Sequence, residues 1–282
     1  MSIRIVVDST ADIPADFVAE HGITIVPAYV NVGEESWADD VDISRSEFYR
    51  QLPNLRPHPT TAAPPVGVFT NAYQKVIDEG ATAIISIHLA SVFSSIYNSA
   101  RLGAQAVDSD VPIHLIDSRQ LTLGGGWLSI LAAEAVAAGQ SVDEILAMIE
   151  ATIPRIYTCA VLDDLNYLRR SGRANWAQFG LGTLLQIKPV MFVHDGELAV
   201  SERVRTRKRS LKRIEDLVAS YGPLERLAII HAHAPEDAEL LRGRLQAHFP
   251  AGKPQLVVEV APTIGVHVGP QAVGYTCIVA PK

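Results

Sequence analysis

Three largely apolar runs that end in small polar residues constrain the fold of this chain most. Ile3 to Val7, broken only by Arg4, ends in Asp8-Ser9-Thr10. Ala83 to Leu89 is followed by Ser91, Ser94 and Ser95, and Ile113 to Ile116 ends in Asp117-Ser118. Strands that are apolar on both faces belong in a parallel sheet covered by helices. Ile13-Pro14 opens a helix with proline in its favoured first turn. Ile23 to Val30 is expected as a second strand. Ser44, three residues before Glu47, signals a capping box for a short helix. Further helices are predicted over about 64–79, 95–107, 121–138 and 143–153. Four rounds of strand, loop and helix describe a parallel α/β layer with right-handed crossovers. Ligands of such layers sit at the carboxyl ends of the strands. Asp8-Ser9, Thr60-Thr61, Ser94-Ser95 and Asp117-Ser118 all fall there.

The pattern changes after about residue 153. Tyr157 to Leu162 reads as a strand, and Asp163 to Arg170 as a helix stopped by Gly172. Strand-like runs flank His194-Asp195-Gly196-Glu197, and Asp-Gly between two such runs is a hairpin signal. Leu227 to Ala232, Gln255 to Val260 and Gly274 to Val279 are further strands, with helices at about 206–220 and 235–248. The expected organisation is an α/β fold in two domains: a parallel one over 1–153, and one over 154–282 with a mixed or antiparallel sheet.

Composition excludes several classes. In 282 residues, 48% are hydrophobic and 20% charged, which suits a well-packed globule. The net charge of -7 argues against a general nucleic-acid binder. Two cysteines, Cys159 and Cys277, lie inside apolar runs and read as buried thiols of a reducing compartment. No run is long enough to span a membrane, and the N-terminus lacks a signal peptide's apolar region. A cytoplasmic protein is the expectation.

The chemistry rests on a few polar groups. Thr60-Thr61 stands in the proline-rich stretch His58 to Pro65, where backbone geometry is restricted. Its hydroxyls either cap the next helix or face a ligand. Ser94 and Ser95 precede a helix, as an ordinary cap or as a seat for a carboxylate or phosphate. His267 lies in a glycine-rich segment, Thr263 to Gln271, as a structural imidazole or a ligand contact. The basic run Arg203 to Arg213, with Arg169, Arg170 and Arg173, is a solvated helix side or a face for phosphate or an acidic partner. Gly124-Gly125-Gly126 lacks the Lys-Ser/Thr of a phosphate loop, and no nucleophile elbow is present. His231-Ala232-His233 has no Cys or carboxylate at ligand spacing. No metal or cofactor is expected.

Together these stretches resemble the DegV family, which includes the fatty-acid-binding subunit of bacterial fatty acid kinase. The matching residues are Val7 to Asp12, Thr60-Thr61, Ser94 to Ala100, Ile116 to Ser118, Leu168 to Arg173, Lys188-Pro189, Arg203 to Lys208 and Gly265 to Pro270. The resemblance implies a long-chain fatty acid in a buried apolar tunnel between or within two α/β domains. It places Thr60, Thr61, Ser94, Ser95 and His267 around the carboxylate. It places Arg173 and Arg205 at the mouth, where a kinase catalytic subunit and phosphate approach. The chain would then be a non-catalytic carrier. Ala62, Pro64, Ser95-Ile96 and Gln271 depart from the family pattern around the head group. The apolar segment 179–193 is a candidate tunnel wall or ordinary core. Two rivals remain at this level. One is an acyl hydrolase with Ser94 or Thr60 as nucleophile, His267 as base and Asp8 or Asp117 orienting it. The other is a regulatory protein acting through the basic face.

Overall fold

The structure, a computed structural model, describes residues 2–163, 165–172 and 188–281, without the side chains of 201–203. Its first half contains β1 (Ile3–Asp8), α1 (Ala15–His21), β2 (Thr24–Val26), β3 (Tyr29–Val32), β4 (Glu35–Ala38) and α2 (Arg45–Gln51). It continues with β5 (Thr60–Ala62), α3 (Val66–Asp78), β6 (Ala83–His88), α4 (Ile96–Gln105), β7 (Ile113–Asp117), α5 (Leu123–Ala137) and α6 (Val142–Thr152). Strands β2-β1-β6-β7 form an all-parallel sheet in that order. Every residue of β6 is buried, as expected for a central strand covered on both faces.

Two local expectations are corrected here. Ile23 to Val30 is not one strand. Pro27 interrupts it, and a residue without an N–H breaks a ladder. The chain leaves the parallel sheet after β2 and starts a small antiparallel sheet, ordered β4-β3-β5. The Thr60-Thr61 stretch is not a free loop but strand β5, with Val30 opposite Thr61. Prolines on both sides favour extended backbone, and the open edge of β3 captures it. The threonines therefore do not cap α3. Pro65 stands at its N-cap with no side-chain hydrogen bond.

The box predicted at α2 is half made. Ser44 Oγ accepts from Glu47 N–H at 3.3 Å, but the Glu47 carboxylate accepts from Arg50 and Gln51 instead. The complete box lies at α6, between Ser141 and Glu144. Ser141→Ala is expected to cost about 1 kcal/mol in urea unfolding, and an unchanged midpoint would remove the cap from the account.

The second half contains β8 (Ile156–Val161), α7 (Asn166–Arg170), β9 (Lys188–His194), β10 (Glu197–Val204), α8 (Arg207–Ser220) and β11 (Leu224–Ala232). It ends with α9 (Pro235–Arg244), β12 (Leu256–Glu259), α10 (Pro262–Val268) and β13 (Ala272–Val279). The sheet order is β10-β9-β8-β13-β11-β12, antiparallel except for β11 with β12. The hairpin turn has φ of 46° at Asp195 and 80° at Gly196, the mirror-image geometry expected of Asp-Gly. One face of this sheet, with the buried thiols Cys159 and Cys277, packs against α8 and α9.

Helix α5 lies between the two large sheets. It packs on β1 and β6 on one side and on β8 and β13 on the other. It is therefore buried nearly all round rather than amphipathic. The Gly124-Gly125-Gly126 run permits this close approach. A methyl at Gly126 would lie 2.2 Å from the Ala11 carbonyl oxygen, and one at Gly124 would lie 2.5 Å from Thr158 Oγ1. One buried cluster thus runs from Val7 through Trp127 and Leu128 to Ile156 and Ile278. Among the described residues, no helix is long and apolar enough to cross a membrane.

Candidate functional site

A cavity of about 540 Å3 opens where the carboxyl ends of β1, β6 and β7 meet the inner face of the mixed sheet. The size is that of a small-molecule site. Ala160, Met191, Val193, Leu198 and Ile230 make an apolar wall on the mixed-sheet side. Polar groups are also in the lining. Thr61 Oγ1 lies 3.1 Å from His267 Nε2, and Ser94 and Ser95 line the same cavity. The starts of α3 and α4 line it too, through Pro64 to Val66 and Ser94 to Ile96. Neither helix has a side-chain cap from its N-cap residue. Ser99 Oγ of α4 donates to the Pro64 carbonyl at 2.5 Å and so ties the two helix starts together. Helix N-termini, hydroxyls and an imidazole are groups able to receive an anion.

The predicted residues fare differently. Thr61 and His267, from opposite ends of the sequence, are brought into contact. Ser94 and Ser95 join them at the cavity, where Ser94 Oγ accepts from Ile96 N–H at 3.3 Å. Thr60 is exposed, and it alternates to the face of β5 away from Thr61. His267 is in the last turn of a helix rather than in a glycine turn. Gly269, with φ of 71°, closes that helix under the ring of Tyr167, where a methyl would lie 2.3 Å from Cδ2. Arg205 is exposed, just before α8. Arg173 lies outside the described residues, as do 179–187 of the expected apolar wall. From the rest of that wall, Met191 and Val193 reach the cavity. His194 instead donates toward the Ile156 carbonyl, 3.1 Å away, and stacks on Tyr157.

Sequence reasoning missed Thr10, Ala28, Thr122, Thr263 and His231 as cavity residues. His231 is held neutral: burial, then the neighbouring His233, pushes its pKa down to about 4, and its Nδ1 accepts from Ala234 N–H. Among the described residues, no group of three His, Cys, Asp or Glu side chains is placed to hold a metal.

The two aspartates of the hydrolase reading make other contacts. Asp8 is spent elsewhere: its Oδ2 accepts from His88 Nδ1 at 3.0 Å and from Leu89 N–H at 3.1 Å. Burial pushes the Asp8 pKa up, but the His88 bond and charge, with Thr10 and Leu89, hold it below the ordinary value. Asp117 accepts from Ser91 and from Arg119 N–H. A Ser86–His88–Asp8 chain does have the order of a triad, with Ser86 Oγ 2.7 Å from His88 Nε2. All three side chains are buried at 1% exposure or less, and Tyr73 OH covers Ser86 at 2.8 Å. It is a polar tie within the parallel layer.

The helix that carries His267 is anchored at its start. Asp12 accepts from Ala261 N–H at 2.8 Å, from Thr122 Oγ1 at 2.6 Å and from Arg45 Nη1 at 2.7 Å. Burial raises Asp12 to about 6, against the pull of Arg45, Thr122 and Ala261. Asp39 Oδ2 accepts from Thr263 Oγ1 and from Ser9 Oγ, both at 2.9 Å. Tyr49 OH donates to the Val260 carbonyl at 3.0 Å.

Known proteins place this architecture. A family model described as an uncharacterised protein of the DegV family matches residues 2–280. A DegV domain-containing protein of Caldanaerobacter subterraneus is 35% identical over 275 residues, covering 96% of this chain and 97% of its own. A Thermus thermophilus DegV family structure described by its fatty acid binding matches with a TM-score of 0.90 and 27% identity, over 99% of this chain and 100% of that one. DegV of Bacillus subtilis, described as a fatty acid binding protein, matches with a TM-score of 0.88 and 30% identity, over 99% of both chains. The chain belongs to the DegV family.

Proposed function

We propose that this protein binds a long-chain fatty acid in the cavity and presents its carboxylate to a separate kinase catalytic subunit, which converts it to an acyl phosphate. The observation that supports the reading is a largely apolar cavity in which Thr61 meets His267 and which Ser94, Ser95 and two helix starts also line; we read these groups as the carboxylate seat. Each buried CH2 of the acyl chain contributes roughly 0.8 kcal/mol before ordering costs, so the walls supply affinity and the seat supplies orientation. The relatives described as fatty acid binding proteins support the ligand class. In this reading the ligand lies between a parallel domain over 1–153 and a mixed-sheet domain over 154–282. Arg205, exposed just before α8, and Arg173 are assigned to the partner and its phosphate. The chain itself supplies no nucleotide loop; its role is to shield the acyl chain from water and hold the carboxylate in place.

A lipid extract of the purified protein should contain a stoichiometric long-chain fatty acid by mass spectrometry. Its absence, together with no uptake of added oleate or palmitate, would overturn the binding step. ATP-dependent acyl phosphate formation only when this chain and a fatty acid kinase catalytic subunit are combined tests the presentation step.

A further inference from the structure

A second cavity of about 200 Å3 lies behind the first, lined by Asp8, Asp12, Asp39, Asp40 and Arg45. The wall between the two is thin and polar. Ser9 and Asp39 line the second cavity, while Ala28 and Thr263 line the first. Asp39 Oδ2 bonds Thr263 and Ser9, and Ser9 Oγ in turn accepts from Ala28 N–H at 3.0 Å. Asp39 Oδ1 is buried without a hydrogen-bond partner among the described residues. Thr263 is in the first turn of α10, and His267 lies one turn further along the same short helix.

We infer that Asp39 is a positioning residue for the carboxylate seat: through Thr263 it fixes α10, and with it His267, and its ionisation loosens that hold. The inference rests on the fatty-acid reading of the main cavity. Protonated on Oδ1, Asp39 is neutral and still accepts both hydroxyls on Oδ2. Ionised, it places a charge on an oxygen with no donor, inside a low-dielectric wall. The groups facing it add to the strain. Asp8 at the end of β1, Asp12 beyond it and Asp40, next in the chain, line the same cavity, all carboxylates, and Asp40 opposes a charge on Asp39; Glu259, whose backbone carbonyl accepts from Arg45, ends β12. Arg45 of α2 is already paired with Asp12 and Asp40, and Tyr49 of α2 is neutral. Relaxation toward the second cavity breaks the Thr263 bond. Loss of that bond frees α10 and so weakens ligand binding.

Burial pushes the Asp39 pKa up to about 7, with the Thr263 bond and the Arg45 charge drawing it down and Asp40 raising it. A raised carboxyl pKa favours the folded, seat-competent state at low pH. That contribution is fully present below the ordinary value of 3.8 and is lost as pH rises through about 7.

The test is oleate affinity by calorimetry at about pH 6 and about pH 8.5, on either side of this value. The wild-type protein should bind roughly tenfold more weakly at the higher pH, equivalent to one pKa unit of coupling. Asp39→Asn, whose carbonyl still accepts from Ser9 and Thr263, should bind equally at both. Thr263→Val, which cuts the link but keeps Asp39, should also lose the pH dependence; it decides the matter if Asp39→Asn does not fold. Equal wild-type affinity at both pH values, or a wild-type fall retained in either folded variant, overturns the inference while leaving oleate binding intact. No oleate binding at either pH overturns the fatty-acid reading itself, and this inference with it.

Discussion

Asp12→Ala is expected to destabilise the protein by about 3–5 kcal/mol, the range for removing one partner of a buried ion pair. Asp12 has no exposed side-chain surface and sits where four segments meet. It takes the Arg45 guanidinium from α2, the Thr122 hydroxyl just before α5 and the Ala261 N–H just before α10. Removing the carboxylate leaves the Thr122 and Ala261 donors unpaired and strips the mostly buried Arg45 of its buried partner, with only the more exposed Asp40 left as counter-ion. The cost is therefore the desolvation of three groups rather than the value of one contact. Denaturant unfolding of the ligand-free protein measures it. Asp12→Asn, which keeps one acceptor oxygen but loses the other and the charge, should fall between wild type and Ala. A loss below about 1 kcal/mol for Asp12→Ala would mean that the network relaxes around the gap, and that α10 is anchored by other contacts.

His267→Ala should weaken fatty-acid binding by about 1–3 kcal/mol, or roughly fivefold to a hundredfold, with little change in stability. The imidazole is half-buried at the end of a seven-residue helix, so its truncation leaves no large core void. It contacts Thr61 Oγ1, and in the proposed reading the two side chains together supply polar hydrogens to the carboxylate. Thr61→Val should give a smaller loss in the same direction. The double variant should lose less than the sum, because each group orients the other. Isothermal titration with palmitate separates these outcomes; unchanged affinity in His267→Ala would place the carboxylate elsewhere in the cavity.

Much of the scaffold was legible because it depends on local pattern. The apolar runs at Ile3 and Ala83 became central parallel strands covered on both faces, and the run at Ile113 became the half-buried edge strand of the same sheet. The Asp195-Gly196 hairpin followed from two residues that tolerate positive φ. Errors came where tertiary partners overrode local signals. Thr60-Thr61 carried the marks of a loop and a cap, but an open edge on β3 turned it into a strand. Glu47 stood at capping-box spacing, yet Arg50 offered its carboxylate a charged partner. The hydroxyls, the histidine and their order were readable as resemblance to the DegV family, whereas Thr263, Thr122 and Thr10 carry no motif that separates a cavity wall from a core.

By itself, the sequence determined the two kinds of sheet, the helices between them and the family, because side-chain period, proline and glycine placement and short motifs act within a few residues. Only the tertiary structure decided that Thr61 meets His267, that Thr60 turns away, that Asp8 serves His88 rather than a nucleophile, and that Asp39 stands behind the seat. Those are contacts between segments far apart in the chain. They follow from the burial of α5 between two sheets, which sets the distance at which every strand end faces its neighbour across the cavity.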